Sequence, residues 1–153
     1  MKSSLVLLLL LFALPVHAAS ITYSSVYNSV NNERISSGLP VLKHSAVLDK
    51  VATDRLNDIK VHNYFAHNAT SGIEPWYWFK KEHYSYVFAG ENLARYFTST
   101  NTLMDGWMSS NYHKQNILYS NYNETGIATD GNIVVEEFGS TSILTSQKVL
   151  SLR

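Results

Sequence analysis

The chain has 153 residues, and its 12 lysine and arginine residues balance 12 aspartate and glutamate residues, so its formal net charge at pH 7 is zero. A neutral chain without basic runs is not expected to bind nucleic acid or an anionic membrane as its main partner. It contains no cysteine, which excludes disulfides, thiol nucleophiles and thiolate metal sites. The chemistry of any site must therefore come from His, Asp, Glu, Ser, Thr and Tyr.

Residues 1–18 are typical of a secretory signal peptide. Lys2 places a positive charge near the N-terminus, an apolar run extends from Leu5 to Leu14, and cleavage is expected after Ala18. The run is shorter than the roughly 20 apolar residues of a membrane-spanning helix, so no transmembrane anchor is expected. We therefore predict a secreted protein, extracellular or periplasmic. One domain is expected over residues 21–139, followed by a tail over residues 140–153.

The first predicted element is a helix over residues 21–37. Residues 31–34 lie mostly on its polar side. Gly38 is the natural stop, because glycine readily adopts the left-handed conformation that ends many helices. The residues expected on the apolar side are Val26, Val30 and Ile35.

Ser45 is a good N-cap for a second helix, which has the clearest amphipathic pattern of the chain. Its apolar residues recur at helical spacing: Leu48, Val51, Ala52, Leu56 and Ile59. His62 lies where this apolar side ends, so we expect a partly buried structural histidine there. A polar turn is predicted over residues 68–72.

Residues 74–88 are rich in aromatic side chains. Glu74-Pro75 opens a short helix that contains Trp76 to Phe79, and His83 is assigned to the surface or to a cap. Three further aromatic residues alternate in a way that suits a short strand or an extended lead into Gly90: Tyr84, Tyr86 and Phe88. These aromatic side chains are expected to pack in the core and at its edge. The alternative is that they line a site for an apolar or sugar ligand.

The last predicted elements change from helix to strand. Asn101 is expected to cap a fourth helix, which continues in broken form over Tyr112 to Leu118. Residues 126–129 and 133–138 flank the turn Asp130-Gly131-Asn132 and are typical of a β-hairpin. Helices first and a hairpin last, without strand–helix alternation, indicate an α+β fold.

The stretch Gly90 to Ala94, with the sequence GENLA, is the strongest candidate for a site. Glu91 follows a glycine and precedes an apolar pair, so we expect the chain to bend there and re-enter the core. The carboxylate would then lie in solvent or in a cleft. His67 precedes Glu91 and His113 follows it, each at a separation far too long for a local metal motif. Only the fold can therefore bring the three residues together.

Several stretches, taken in order, resemble the CAP superfamily, also called the SCP domain family, and its bacterial branch in particular. They are Asn32 to Arg34, Gly38 to Leu42, Leu48 to Ala52, Phe65 to His67, Gly90 to Ala94, Trp107 to Ser110, His113 to Leu118 and Gly126 to Ala128. The match covers about residues 26–139. The resemblance implies a three-layer α-β-α sandwich with a small antiparallel sheet, and an open cleft lined by two histidines and acidic residues.

Carried over by motif, the cleft residues are His67, Glu91 and His113. The family's other acidic residue lies three places after the tryptophan, where this chain has Ser110, so its acidic set is reduced. The pair Glu136-Glu137 offers a replacement, because strand alternation sends one of the two side chains to each face. The sequence does not identify which of them faces the cleft.

Two main functions are expected from this resemblance, and a third alternative is a structural or envelope-associated protein in which the cleft is vestigial. The first is a secreted binding module that requires no cofactor and binds an apolar, lipid- or sterol-like molecule or an extracellular or envelope partner. The cleft residues then form a hydrogen-bonded network. The second is a zinc-assisted hydrolase of peptide or ester bonds, with Zn²⁺ on His67 and His113 and Glu91 as base. The serine at position 110 favours the first.

Overall fold

The computed structural model describes residues 20–141, so the predicted signal peptide and residues 142–153 of the predicted tail lie outside the described residues. In chain order, the elements are α1 (Tyr23–Ser36), β1 (Lys43–His44), α2 (Ala46–Val61), α3 (Trp76–Lys81), β2 (Phe88–Arg95), α4 (Thr100–Ser109), α5 (Asn111–Ile117), β3 (Glu124–Thr129) and β4 (Ile133–Ser140). Within the range 20–141, no helix is both long and apolar enough to cross a membrane.

A four-stranded sheet in the order β1-β3-β4-β2 forms the middle layer. β3 and β4 are the predicted hairpin, and β2 pairs antiparallel with β4 along its whole length. β1 pairs parallel to β3 through only two residues. The sequence could not indicate β1, because a two-residue strand has no measurable periodicity.

Helices cover both faces of this sheet, which confirms the α+β sandwich. On one face, α2 packs against β3 and β4 and is itself covered by α3. The core of this layer includes Ala52, Leu56, Ile59, Leu93 and Val135. On the other face, α1, α4 and α5 enclose a larger cluster that includes Val30, Trp107, Ile117 and Phe138. Because neighbouring strand residues point to opposite faces, adjacent side chains of β4 enter different layers.

Three helices end with a residue in the left-handed backbone region: Gly38 (φ 73°) after α1, Asn63 (φ 50°) after α2 and His83 (φ 57°) after α3. In each case the next N–H bonds back to a carbonyl five residues earlier: Leu39 to Arg34 at 2.9 Å, Tyr64 to Ile59 at 3.2 Å and Tyr84 to Phe79 at 2.9 Å. This is the Schellman arrangement. Glycine and asparagine suit its left-handed position, whereas histidine adopts it at a cost in free energy.

The predicted bend at Gly90 is wrong, because β2 runs through this residue without a break. The glycine is required for a different reason. A Cβ atom at Gly90 would lie 2.3 Å from the hydroxyl oxygen of Tyr122, and that hydroxyl donates to the Ala89 carbonyl at 3.0 Å. Gly90 therefore makes room for a close side-chain approach.

The predicted apolar side of α1 is wrong at one position. Ile35 is 58% exposed, whereas the neighbouring Arg34 is buried. The Arg34 guanidinium donates to the carbonyl oxygens of Pro40, Ile117, Tyr119 and Tyr122. These carbonyls lie in loops or, for Ile117, at the C-terminal end of α5, so the arginine supplies donors that the backbone lacks there.

Two predictions at helix ends are also wrong. His62 is exposed rather than partly buried, because it is the C-cap of α2, and its Nδ1 lies 3.0 Å from the largely buried Asp58 carboxylate. Ser99, not Asn101, is the N-cap of α4, and its Oγ accepts from the Thr102 N–H at 3.2 Å. The predicted break between α4 and α5 is confirmed, at Ser110.

Candidate functional site

Glu91 is buried on β2, on the face of the sheet that packs against α2. Its two carboxylate oxygens have different partners. Oε2 accepts a hydrogen bond from Arg55 Nε at 2.7 Å, and Oε1 lies 2.7 Å from His67 Nδ1. Because an arginine guanidinium stays protonated, the Arg55–Glu91 contact is a charge-assisted hydrogen bond. A carboxylate only accepts hydrogen bonds, so Nδ1 of His67 is the donor to Oε1.

Arg55 organises this site, and sequence analysis missed it. Its fully buried guanidinium donates to Glu91, to the Tyr64 hydroxyl and to the carbonyl oxygens of Ala66 and His67, the last two at 2.5 and 2.6 Å. Burial lowers the pKa of Arg55, but Glu91 and Tyr64 outweigh it and hold that pKa above its ordinary value. The two carbonyl bonds fix the segment that carries His67 against α2.

A signal for Arg55 was present in the sequence. The residue lies within the helical stripe of α2 that also contains Ala52, Leu56 and Ile59. A charged residue on a stripe of core-facing residues must be paired when buried, so its position alone indicates a buried ion pair.

His67 lies at the rim of an open cavity of about 270 Å³. Its side chain is 56% exposed, and its Nε2 makes no hydrogen bond to any residue in the range 20–141. Several polar side chains surround the same cavity: Asn68, Glu74, Glu91 and Asn116. The imidazole is therefore fixed at Nδ1 and has Nε2 left to meet a ligand.

His113 lies on α5, close enough for its pKa to respond to His67, but it is not among the residues that line the cavity beside His67. The buried Asn92 donates to the His113 carbonyl at 3.2 Å, and Asn116 donates to the Glu91 carbonyl at 3.1 Å and to Asn92 Oδ1 at 2.9 Å. These bonds fix α5 to β2. Burial lowers the pKa of His113, and the positive charge of His67 lowers it further, so His113 is neutral at pH 7. In the described part of the chain, no hydrogen bond joins its ring to His67 or Glu91.

A second buried carboxyl group lies opposite Glu91. Glu137 is its directly paired residue on β4, so both side chains occupy the α2 face of the sheet. No N–H or hydroxyl group among residues 20–141 donates to either oxygen of Glu137, and the side chain that it faces is the Glu91 carboxylate. Burial raises the pKa of Glu137 well above its usual range, the neighbouring Glu91 raises it further, and Arg55 only partly opposes them. Burial beside Glu91 therefore favours the protonated form of Glu137.

Glu136 enters the opposite layer, on the side of α1. Burial raises the pKa of Glu136 to about 8, against a partial lowering by Thr125 and Arg34. The Thr125 hydroxyl oxygen lies 3.0 Å from Glu136 Oε1 and 3.0 Å from the Glu137 carbonyl oxygen. A hydroxyl has one hydrogen to donate. Thr125 therefore donates to only one of these two acceptors at a time, and it lowers the pKa of Glu136 when it donates to the carboxylate.

The residues of the cleft do not fit a zinc site. Zinc takes three protein ligands in catalytic sites and four in structural ones. Over residues 20–141, no three His, Asp or Glu side chains come together in a way that could hold a metal. Both oxygens of Glu91 are already engaged, which leaves the nitrogens of His67 and His113 as the only candidate ligands of the predicted set.

Comparisons with known proteins agree on one family. The family model described as "CAP: Cysteine-rich secretory protein family" matches residues 27–132. The uncharacterised protein YkwD of Bacillus subtilis (strain 168) is 32% identical over 115 residues, which are 74% of this chain and 45% of that protein. The chain thus spans less than half the length of this curated relative.

Two solved structures share the fold. The SCP domain of an extracellular protein from Bacillus anthracis matches with a TM-score of 0.72 at 22% identity, over 76% of this chain and 39% of that chain. An outer surface protein from Borrelia burgdorferi matches with a TM-score of 0.70 at 21% identity, over 82% of this chain and 100% of that chain. At these identities the likeness extends to the fold alone.

Proposed function

The chain belongs to the cysteine-rich secretory protein (CAP) family, in its bacterial form, and we propose that it acts outside the cell as a binding module. Two observations support this location. Residues 1–18 have the sequence of a secretory signal peptide. The two structural relatives are an extracellular protein and an outer surface protein.

The observation that carries this proposal is the fixed geometry of Arg55, Glu91 and His67. Glu91 is held on one oxygen by a buried arginine and holds His67 with the other, both at 2.7 Å. The exposed imidazole is therefore already oriented before any ligand arrives, which lowers the ordering cost of binding. Its Nε2 is an acceptor when the ring is neutral and a donor when it is protonated.

The cavity beside His67 suits a polar group of an extracellular or envelope partner better than a lipid or sterol. Its volume of about 270 Å³ is below the roughly 300–1,000 Å³ of sites that enclose whole small molecules. Asn68, Glu74 and Asn116 line it, and burying them against an apolar ligand would leave polar atoms unpaired. Of the two kinds of ligand expected, the partner is therefore the better supported.

Binding to bacterial envelopes tests this function. We would incubate the purified protein with washed envelopes and measure the fraction that co-sediments. His67→Ala should lose most of this binding. The matched control is His62→Ala, because His62 is equally exposed, with 57% against 56% of the side chain, and lies outside the cavity. Equal binding by both variants, or no binding by the wild type, would count against the proposal.

Zinc-assisted hydrolysis is the weaker alternative. The serine at position 110 and the engaged oxygens of Glu91 leave too few ligands for a catalytic zinc. Calorimetric titration with Zn²⁺ separates the two functions. The binding module predicts the same weak heat for the wild type and the His67→Ala/His113→Ala double variant. A stoichiometric site that disappears in the double variant would favour the hydrolase.

A further inference from the structure

A second open cavity, of about 580 Å³, shares Trp76 with the cavity of the cleft and is lined by aromatic and polar residues, Tyr84 among them. We call it the aromatic groove, and its walls are formed by Trp76, Tyr77, Lys80, His83, Ser85 and Tyr86. Its volume falls within the roughly 300–1,000 Å³ of sites that bind small molecules. A concave site of this size is better suited to a compact ligand than to the flat surface of a protein.

Three large aromatic side chains of the groove are exposed to solvent: Trp76 at 37%, Tyr77 at 48% and Tyr86 at 41%. Buried residues of the neighbouring core support these three side chains. Trp78, Phe79 and Tyr84 pack in the core with Leu48 and Val51 of α2, and Phe79 contacts both Trp76 and Tyr86. A contiguous patch of exposed rings on a rigid support is typical of a binding surface.

The polar residues of the groove limit what it binds. Its ionisable wall residues are Lys80 and His83, and Ser85 adds a hydroxyl. Lys80 makes no ion pair within the described part of the chain, whereas the adjacent Lys81 pairs with Asp54. An entirely apolar ligand would desolvate these groups without replacing their hydrogen bonds. The ligand must therefore combine apolar faces with polar, acidic edges.

Sugars have this combination. A pyranose ring presents a face of C–H groups that stacks on an aromatic ring, and an edge of hydroxyls that needs hydrogen-bond partners. The groove offers both kinds of contact, since exposed aromatic rings and the polar side chains of Lys80, His83 and Ser85 line the same cavity. The acidic groups of the ligand would then lie beside Lys80 and His83.

The backbone at His83 supports a role for this groove. Its φ of 57° lies in the left-handed region, where histidine is strained. The equivalent positions after α1 and α2 contain Gly38 and Asn63, which suit this conformation. Histidine adopts this conformation less readily than glycine does, and here it lines the groove.

We propose that the aromatic groove binds a short acidic oligosaccharide, whose sugar rings stack on Trp76, Tyr77 and Tyr86 and whose acidic groups pair with Lys80 and His83. This site is additional to the His67 cleft, so neither proposal depends on the other. Trp76 also borders the cavity of the cleft. A longer chain that starts in the groove would therefore extend toward His67.

The test uses the purified full chain with trigalacturonic acid as the acidic probe and galactotriose as the neutral probe. Calorimetry and tryptophan fluorescence would measure both affinities. We expect saturable binding of the acidic probe, reduced about two- to tenfold by Tyr77→Ala and by Tyr86→Ala. Lys80→Gln should remove the preference for the acidic over the neutral probe.

Controls distinguish the groove from other surfaces. Tyr112→Ala removes a tyrosine that is 83% exposed on α5, outside the groove, and should bind like the wild type. His67→Ala should also retain the affinity for the trisaccharide, which separates this site from the cleft. Circular dichroism establishes that each variant is folded. Absence of saturable binding by the wild type, or equal losses in Tyr77→Ala and Tyr112→Ala, would overturn the proposal.

Discussion

Glu137 lies directly across the antiparallel strand pair from Glu91, and both carboxyl groups are buried on the side of Arg55. One guanidinium neutralises one carboxylate. Glu91 is bonded to Arg55 at 2.7 Å and takes this role, whereas Glu137 has no such bond. The pair therefore carries one proton, on Glu137, because two adjacent buried carboxylates cannot both ionise beside a single counter-ion.

The same substitution at these two facing residues should have opposite effects. Glu137→Gln replaces a protonated carboxyl group with a neutral one of the same shape, so stability at pH 8 should stay equal or rise. Glu91→Gln removes the carboxylate that is hydrogen-bonded to the buried Arg55 and leaves Asp58, at 3.8 Å, as its nearest counter-ion, so the free energy of unfolding should fall by about 3 kcal/mol. Urea denaturation at pH 8 measures both. Equal losses in the two variants would show that Glu137 is ionised or bonded.

Arg55→Met should be among the most destabilising substitutions in the chain. It removes the donors to Glu91, to Tyr64 and to two carbonyl oxygens, and leaves the buried Glu91 carboxylate with His67 alone as its partner. We expect a loss of about 3–5 kcal/mol. Arg95→Met is the matched control, because Arg95 is exposed and only stacks on Phe65 and Tyr96. Its loss should stay below about 1 kcal/mol, and a similar loss in both variants would contradict a central role for Arg55.

Glu136 should make the folded state less stable as the pH rises. Its folded pKa of about 8 lies above the ordinary value of 4.5. Between these values the unfolded chain has lost the proton that the folded chain keeps. The free energy of unfolding therefore falls with pH by up to about 1.4 kcal/mol per unit and levels off above pH 8.

Glu136→Gln should remove this contribution. The variant should gain stability relative to the wild type as the pH rises from 5 to 8, with little difference near pH 4.5. Thermal unfolding over this range, with the exposed Glu74→Gln as control, measures the difference. A constant difference at all pH values would mean that Glu136 does not titrate on unfolding.

Relief of backbone strain at His83 should stabilise the protein. Glycine adopts the left-handed conformation at no steric cost, against about 1–2 kcal/mol for other residues, but loses about 0.5–1 kcal/mol more chain entropy on folding. His83→Gly should therefore gain about 0.5–1 kcal/mol. Asn63→Gly, at the equivalent position after α2, should change stability less. Destabilisation by His83→Gly would show that the histidine ring contributes contacts that outweigh the strain.

The sequence predicts those features that depend on neighbouring residues. The amphipathic pattern of α2, the stop at Gly38 and the turn of the β3–β4 hairpin are all local, and the structure contains each of them. The predicted bend at Gly90 is wrong, because the reason for a glycine at this position is not local. This glycine accommodates Tyr122, which is remote along the chain and approaches only in the folded state.

The candidate site could be predicted only in part. The meeting of His67 with Glu91, which are distant in sequence, follows from a family resemblance and not from any periodicity. Glu137 could not be assigned to a face, because strand register decides which of two adjacent glutamates lies opposite Glu91. Arg55 was missed because its charge suggested solvent, although its place on the apolar stripe indicated burial.

The tautomer of the His67 ring most directly tests whether Glu91 orients this imidazole toward the cleft. Two-dimensional ¹⁵N–¹H NMR at a pH where the ring is neutral distinguishes the two forms. A charged Glu91 at 2.7 Å from Nδ1 predicts the Nδ1–H tautomer in the wild type, and loss of this preference in Glu91→Gln. A wild-type ring that carries its proton on Nε2 would contradict the arrangement on which the proposed binding function rests.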